Sequence, residues 1–216
     1  MKSTTIVYDE IAVARQEGYA FDAWYANHYL RRPLEAGLAS TVRHYGSPAR
    51  GALLAVYEAI DADAAEKIRC GFEASHPSVQ RVERFVGRQI YEAAAPTAPA
   101  DAIESRICYP VFFRVPDERE QAFNEWYDQE HVRMLIECPH WPMCRRFRIR
   151  GAPAGYWTHV AMHYITDPLA YESKERDAAR TTPWRLRLES EAWFHSDNRV
   201  FHRHARQTTG AARPAV

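Results

Sequence analysis

"FNEWYDQEHV", residues 123–132, repeats a pattern that the chain has already used once, as "FDAWYANHYL" at 21–30. Phe, Trp and Tyr recur at the same spacing 102 residues apart, so the two stretches read as one amphipathic helix used twice. In the second copy Phe123, Trp126, Tyr127 and Glu130 fall at i, i+3, i+4 and i+7, with His131 on the flank of the same face. In the first copy His28 stands where Glu130 stands and Tyr29 where His131 stands. One helical position is about 100° of rotation, so His28 cannot present its ring as His131 does without a bulge.

The repeat extends outward from these helices. "VRHY" at 42–45 matches "CRRF" at 144–147 at the same offset, and "LAVYEAID" at 54–61 matches "VAMHYITD" at 160–167 with the offset grown to 106. One period near half the chain length indicates two copies of a supersecondary unit, not a solenoid of short repeats. "AAAPTAPADA" at 93–102 has no period and reads as a linker. The expected organisation is a first half at 1–92, a linker at 93–103 and a second half at 104–216.

Each half reads in the same order. "SRICYPVFFRV" at 105–115 is aromatic and β-branched, a buried strand, with "STTIVY" at 3–8 as its weaker counterpart. A helix runs from Asp117, with Asp117 and Glu120 spaced as a capping box. Strands at 144–150 and 157–165 flank the turn "GAPAG", "DPLAYESKERDAA" is a second helix, and "RVFHRH" is a closing strand. The order β-α-β-β-α-β is the ferredoxin-like arrangement, so the fold class is α+β, a tandem pair of ferredoxin-like halves. A sheet with helices on one face leaves the other bare, and two copies can cover each other there. A monomer is then sufficient, although free sheet edges favour a homodimer.

The pattern F-x-x-W-Y-x-x-E-H, followed by the Arg-rich strand "CRRFRI", resembles the dimeric α/β-barrel superfamily, and within it the EthD-type proteins fused in tandem. The resemblance rests on Phe123, Trp126, Tyr127, Glu130, His131 and Arg145 and is degraded in the first half. It implies a cavity between sheet and helices in each half. It does not imply one reaction, because the superfamily includes isomerases, polyketide cyclases, quinone-forming monooxygenases, haem enzymes and proteins without known activity.

Chemistry must be argued from residues. His131, at the edge of an aromatic face, is a candidate acid/base, with Glu130 either orienting it or merely solvated. His159 and His163 share one strand face, and the apolar Val160 and Met162 on the other face suit the helix side, so the histidine row is expected to face away from the helices. Seven of the ten histidines lie in the second half, so that half is expected to carry the open, polar cavity while the first, with Leu53, Ala55 and Tyr57, is filled and apolar. Trp126, Tyr127, Arg145 and Glu130 are the expected substrate-binding residues; Arg145, facing inward, would hold a carboxylate or enolate oxygen. These residues suit a cofactor-free lyase, isomerase or monooxygenase acting on a small, mostly apolar carbonyl or carboxylate compound. A non-catalytic binding or scaffold protein is the alternative, and a haem or metal enzyme the second.

Composition bounds the partners. Lys plus Arg and Asp plus Glu are both 28, so no charge excess calls for nucleic acid or an anionic membrane. No apolar run is long enough to span a bilayer and no H-E-x-x-H or other tight ligand motif is present, so neither a metal nor another cofactor is expected. Cys70, Cys108, Cys138 and Cys144 show no CxxC pairing and read as reduced thiols of a cytoplasmic protein.

Overall fold

The computed structural model describes residues 4–47, 50–71, 76–151 and 155–204. The chain forms two compact units, Met1–Arg88 with Phe201–Val216, and Gln89–Val200. Both are α+β.

The first unit runs β1 (Thr5–Val13), α1 (Gly18–His28), α2 (Arg32–Glu35), β2 (Ala39–Ser47), β3 (Ala52–Ala59), α3 (Ala62–Cys70) and β4 (Val79–Ala94), the last crossing into the second unit after Arg88. Its strand order is β4-β1-β3-β2, with the two outer strands being the last and second in sequence, as in ferredoxin-like sheets. A late strand, β9 (Phe201–Arg203), pairs antiparallel with β2 through Tyr45↔Arg203 and Gly46↔His202. The stretch expected to close the second half therefore adds to the first unit instead. Asp61 caps α3 by accepting the Ala64 N–H at 2.7 Å.

The second unit runs β5 (Ile107–Phe113), α4 (Glu120–Trp126), a π turn (Tyr127–His131), α5 (Val132–Leu135), β6 (Met143–Arg150), β7 (His159–Ile165), α6 (Lys174–Arg180), α7 (Pro183–Glu189) and β8 (Ser196–Asn198). The order is β8-β5-β7-β6, the same pattern. Residues 93–103, expected as a linker, include the last residues of β4 and a 3-10 turn at Ala102–Glu104. The helix expected from Asp117 forms, but without its capping box. No side chain caps its start; Asp117 instead accepts from Arg148 Nη2 at 3.0 Å and Glu120 stands 3.2 Å from His159. The helix expected at 167–179 is broken at Ser173, whose hydroxyl accepts the Arg176 N–H and starts α6 afresh. Thr182 caps α7 in the same way. The turn at 152–154 lies outside the described residues.

Strand pairing settles which side chains share a face in the second unit. Tyr109 pairs with His163, Val111 with Ala161 and Phe113 with His159, while Cys144, Arg146 and Arg148 pair with His163, Ala161 and His159 from the other side. This whole face packs under the helices: Phe113, Phe123, Trp126, Tyr127, Val132, Cys144 and Ala161 form one apolar cluster. The expectation for the histidine row is therefore reversed. His159 and His163 point toward the helices because polar partners wait there, and Val160 and Met162 line the opposite face.

Among the described residues no helix is long and apolar enough to cross a membrane. Phe123 is wholly buried and its ring contacts those of Phe113, Trp126, Tyr127, His159 and Trp193. Phe123→Ala should lower stability by about 3–5 kcal/mol, read by denaturant unfolding followed through amide exchange of residues 89–200. A loss under about 1 kcal/mol would mean that this helix does not anchor the unit.

Candidate functional site

A cavity of about 110 Å³ lies in the second unit between the helices and the sheet. Its wall includes Tyr109, Val111 and Phe113 of β5, His163 of β7, Tyr127 and His131 of the π turn, Trp141, and Arg176, Arg180 and Arg185.

The π turn decides which residue of the helix reaches it. The Val132 N–H bonds the Tyr127 carbonyl, five residues back, so one extra residue is inserted into the turn. Everything after it is set back by about 100°. His131 thereby comes to the inward position that an uninterrupted helix would give Glu130, its ring 4.8 Å from Trp126 and 5.0 Å from Tyr127. The bulge thus occurs in the second copy. In the first, α1 ends at His28; there the Leu30 N–H makes the corresponding five-residue bond to the Tyr25 carbonyl at 3.0 Å, but shares that carbonyl with the ordinary Tyr29 N–H bond at 2.9 Å, and His28 is exposed, its Nδ1 2.8 Å from the Trp24 carbonyl.

Donor rules fix the proton positions. The indole N–H of Trp141 can only donate, and it donates to His163 Nδ1 at 3.0 Å. The neutral ring of His163 then carries its proton on Nε2, which lies 3.1 Å from the Tyr127 hydroxyl oxygen. Tyr127 accepts there and keeps its own hydroxyl hydrogen to donate. His131 Nδ1 lies 3.3 Å from the Ala179 carbonyl, which can only accept, so Nδ1 is the protonated nitrogen and Nε2 holds the lone pair.

Burial shapes the charges. It is the main cause holding His131 at about 3, with Arg185 adding to it. His163 is pushed well below its usual value by burial and then by His131. Burial also raises Tyr127 well above the ordinary phenol range, so its hydroxyl stays a donor. Cys144, beneath the same helix, has its thiol pushed up by burial, which excludes a low-pKa thiolate.

The remaining expected site residues are dispersed. His159 shares the face of His163 but does not line the cavity; its Nε2 lies 3.2 Å from Glu120 and its Nδ1 3.0 Å from Thr158 Oγ1. Burial and Arg146 hold it at about 3. Trp126 is fully buried behind His131 and packs against it. Glu130 accepts the Thr182 hydroxyl at 2.6 Å, so it secures the cap of α7 instead of orienting His131. Arg145 lies on the face opposite the cavity, held by Gln89 at 2.6 Å with Glu92 at 3.4 Å. Its neighbour Arg146 points under the helices, bonded to Asp128 and to Asn124 Oδ1, with its guanidinium 4.3 Å over the Tyr127 ring.

The residues that sequence reasoning missed are Trp141, which fixes the His163 tautomer, and three arginines. Arg176, Arg180 and Arg185 come from α6 and α7, and α7 itself was not expected. Arg185 is paired with Glu189 at 2.5 Å and Arg176 bonds the Tyr171 carbonyl, whereas Arg180, exposed at the end of α6, makes no hydrogen bond or ion pair among the described residues. The signal was there in "SKERDAARTTPWRLR", whose basic residues recur at helical spacing.

The matching position of the first unit is closed. Tyr57 stands where His163 stands and Asp9 where Val111 stands. The Tyr25 hydroxyl donates to Asp9 at 2.9 Å and lies 3.3 Å from the Tyr57 hydroxyl, and Arg84 bonds Asp9 at 2.8 Å. This end is filled, by a polar network instead of apolar side chains, but the first half is not closed as expected, because Leu53 lines an open cavity. A separate cavity of about 330 Å³ does open elsewhere in this unit, with His202 and His204 on its wall.

No protein-family model matches the sequence, and no curated protein matches it. Solved structures do match over nearly the whole chain. A crystal structure of an anthrone oxidase-like protein aligns with a TM-score of 0.70 at 10% identity, covering 100% of this chain and 97% of that one. One of a monooxygenase described as putative, from Lactobacillus acidophilus NCFM, aligns at 0.60 and 11%, covering 97% and 98%. A mutant chlorite dismutase from Candidatus Nitrospira defluvii, in complex with cyanide, aligns at 0.62 and 8%, covering 94% and 92%. The fold is therefore that of the ferredoxin-like, dimeric α/β-barrel proteins, with nothing that singles out the EthD type.

Four histidines whose values lie below 6.5 when folded give a signed pH dependence. Below about 6.5 the unfolded chain takes up protons that folded His44, His131, His159 and His163 refuse, so stability falls as pH drops from 6.5 toward 3. Each contributes about 1.4 kcal/mol per pH unit. Unfolding midpoints between pH 7 and 4 should show this slope, reduced by about one proton in His159→Gln. A midpoint independent of pH over that range would contradict the buried neutral state.

Proposed function

We propose that residues 89–200 carry the active site of a cofactor-free enzyme that moves a proton on a small anionic carbonyl compound, His131 acting as base and Tyr127 as hydrogen-bond donor to the developing oxyanion. One observation carries this reading. A histidine with a fixed tautomer and a lone pair on Nε2 lines the same cavity as a neutral phenol that has a hydrogen to donate and three arginines. A base, an oxyanion donor and an anion-holding group are what abstraction of a proton next to a carbonyl requires.

The cavity volume supports a small substrate, or the reacting end of a larger one. Ligand sites usually measure about 300–1,000 Å³, against about 110 Å³ here. The same comparison speaks against a haem, which needs at least the space of a drug-sized ligand. Arg180, exposed and without a hydrogen-bond or ion-pair partner among the described residues, suits a substrate carboxylate or phenolate at the mouth. With no anion present, burial and Arg185 hold His131 at about 3, which makes it a weak base. A bound anion offsets the arginine charges and so raises the affinity of Nε2 for the transferred proton.

Deprotonation leaves an enolate. Returning the proton at another carbon makes the enzyme an isomerase; loss of a β substituent makes it a lyase; reaction of the enolate with dioxygen to a hydroperoxide, which then loses one oxygen as water and leaves a new carbonyl, makes it a monooxygenase. The fold shared with proteins described as a putative monooxygenase and as anthrone oxidase-like supports the oxygen-dependent branch.

Incubating the untagged chain in D₂O with a panel of enolisable aromatic ketones bearing a carboxylate or phenolate tests the proton transfer itself. Deuterium should enter next to the carbonyl, and an oxygen electrode shows whether dioxygen is consumed. His131→Ala should lower the exchange rate by about 10²–10⁴-fold, while Arg180→Ala should raise KM and leave kcat nearly unchanged. No exchange with any member of the panel, or exchange untouched by His131→Ala, would refute the reading.

A further inference from the structure

Asp22, His44 and His204 meet in the first unit, away from the Tyr25–Tyr57–Asp9 network. His44 Nε2 lies 3.2 Å from one carboxylate oxygen of Asp22 and His204 Nδ1 lies 3.4 Å from the other, with the two rings stacked 4.4 Å apart. One ligand atom from each residue lies within 4.8 Å of the other two. We propose that these three residues bind a single divalent transition-metal ion, as a two-histidine, one-carboxylate site with open coordination positions toward the 330 Å³ cavity.

Three observations carry the inference. The first is spacing. An ion that holds nitrogen and oxygen ligands at about 2.0–2.2 Å in a tetrahedron keeps those atoms about 3.3–3.6 Å apart, and here each Asp22 oxygen stands near that distance from a different histidine, Oδ1 3.2 Å from His44 and Oδ2 3.4 Å from His204. Two histidines and one carboxylate are a set that zinc and iron(II) both accept, with positions left for water or substrate. Asp22 and His204 both stand on the cavity wall.

The second observation comes from the other unit. At the register of Asp22 the second unit has Asn124, and at the register of His44 it has Arg146. There Arg146 Nη2 donates to Asn124 at 2.7 Å, so the same spot holds a built-in cation. In the first unit the arginine has become a neutral imidazole and the amide a carboxylate. The pair has exchanged its fixed positive charge for ligand atoms.

The third is electrostatic. The buried Oδ1 of Asp22 accepts no hydrogen bond among the described residues. Arg15 and Arg203 on the same wall favour an anionic co-ligand on the open side.

The third ligand stands just past the short strand β9, and Gly46 makes room for it: a Cβ there would come within 2.7 Å of His204 Nε2. A bound ion would therefore tie this strand to α1 and β2, so binding should raise the melting temperature as well as register directly.

The test uses the untagged full chain, stripped with a chelator and titrated with Zn²⁺ and separately with Co²⁺ under equilibrium dialysis. One equivalent should bind, with the visible bands of a four- or five-coordinate Co²⁺ ion. Asp22→Asn and His204→Gln should each weaken binding at least about tenfold, with circular dichroism showing that the variants fold; if one does not, the other carries the comparison. Absence of stoichiometric binding, or binding that the folded variants leave unchanged, overturns the proposal.

Discussion

A tryptophan N–H donates and never accepts, and that asymmetry organises the second unit's cavity. Because Trp141 donates to His163, the His163 ring has one proton, on the side of Tyr127, and Tyr127 must accept it. The chain of bonds runs one way, from indole through imidazole to phenol, and ends at a hydroxyl that faces the cavity. Protonating His163 would break the first bond of the chain and place a charge in a wholly buried site, so the arrangement is stiff in both tautomer and charge. Arg146 lies beneath it over the Tyr127 ring, supplying positive potential without taking a hydrogen bond from the cavity groups.

The two units use matching positions in opposite ways. At the end of the strand face near Tyr127, the second unit is open, while the first is closed by Tyr25, Tyr57, Asp9 and Arg84. At the other end the second unit is closed by Glu120, His159 and Arg148, while the first has Gly18, Leu53 and Gly46 in the same places and is open. Small residues create one cavity and the π turn shapes the other. Neither unit duplicates its partner's cavity, although both present an aromatic helix to an antiparallel sheet.

The strands and principal helices were legible in sequence because aromatic and β-branched runs alternate with turn residues, and because Phe123, Trp126 and Tyr127 keep helical spacing. His131 and Tyr127 could be singled out from that same face. The face taken by His159 and His163 could not, since hydropathy assigns polar residues to the side away from a core, and only partners distant in sequence, Trp141 and Tyr127, overturn that assignment. The π turn was invisible for a related reason: one extra residue changes a hydrogen bond by one carbonyl and leaves composition untouched. Arg145 looked functional because it follows the helix motif, yet strand alternation sends its neighbour Arg146 to the helix side instead. The Asp22, His44 and His204 cluster has no local spacing at all; its members come from a helix, a strand and the far end of the chain.

Strand β9 has a consequence for how the chain becomes a protein. Its residues follow the whole of the second unit in sequence, yet they pair with β2 of the first. On a ribosome, β2 and the wall that His204 completes must wait while more than a hundred further residues are synthesised, a delay of several seconds at about 5–20 residues per second. During that interval the outer edge of β2 lacks its β9 partner, and nascent chains side by side on one message could pair there instead. The order of synthesis thus makes the first unit to be translated the last to be finished.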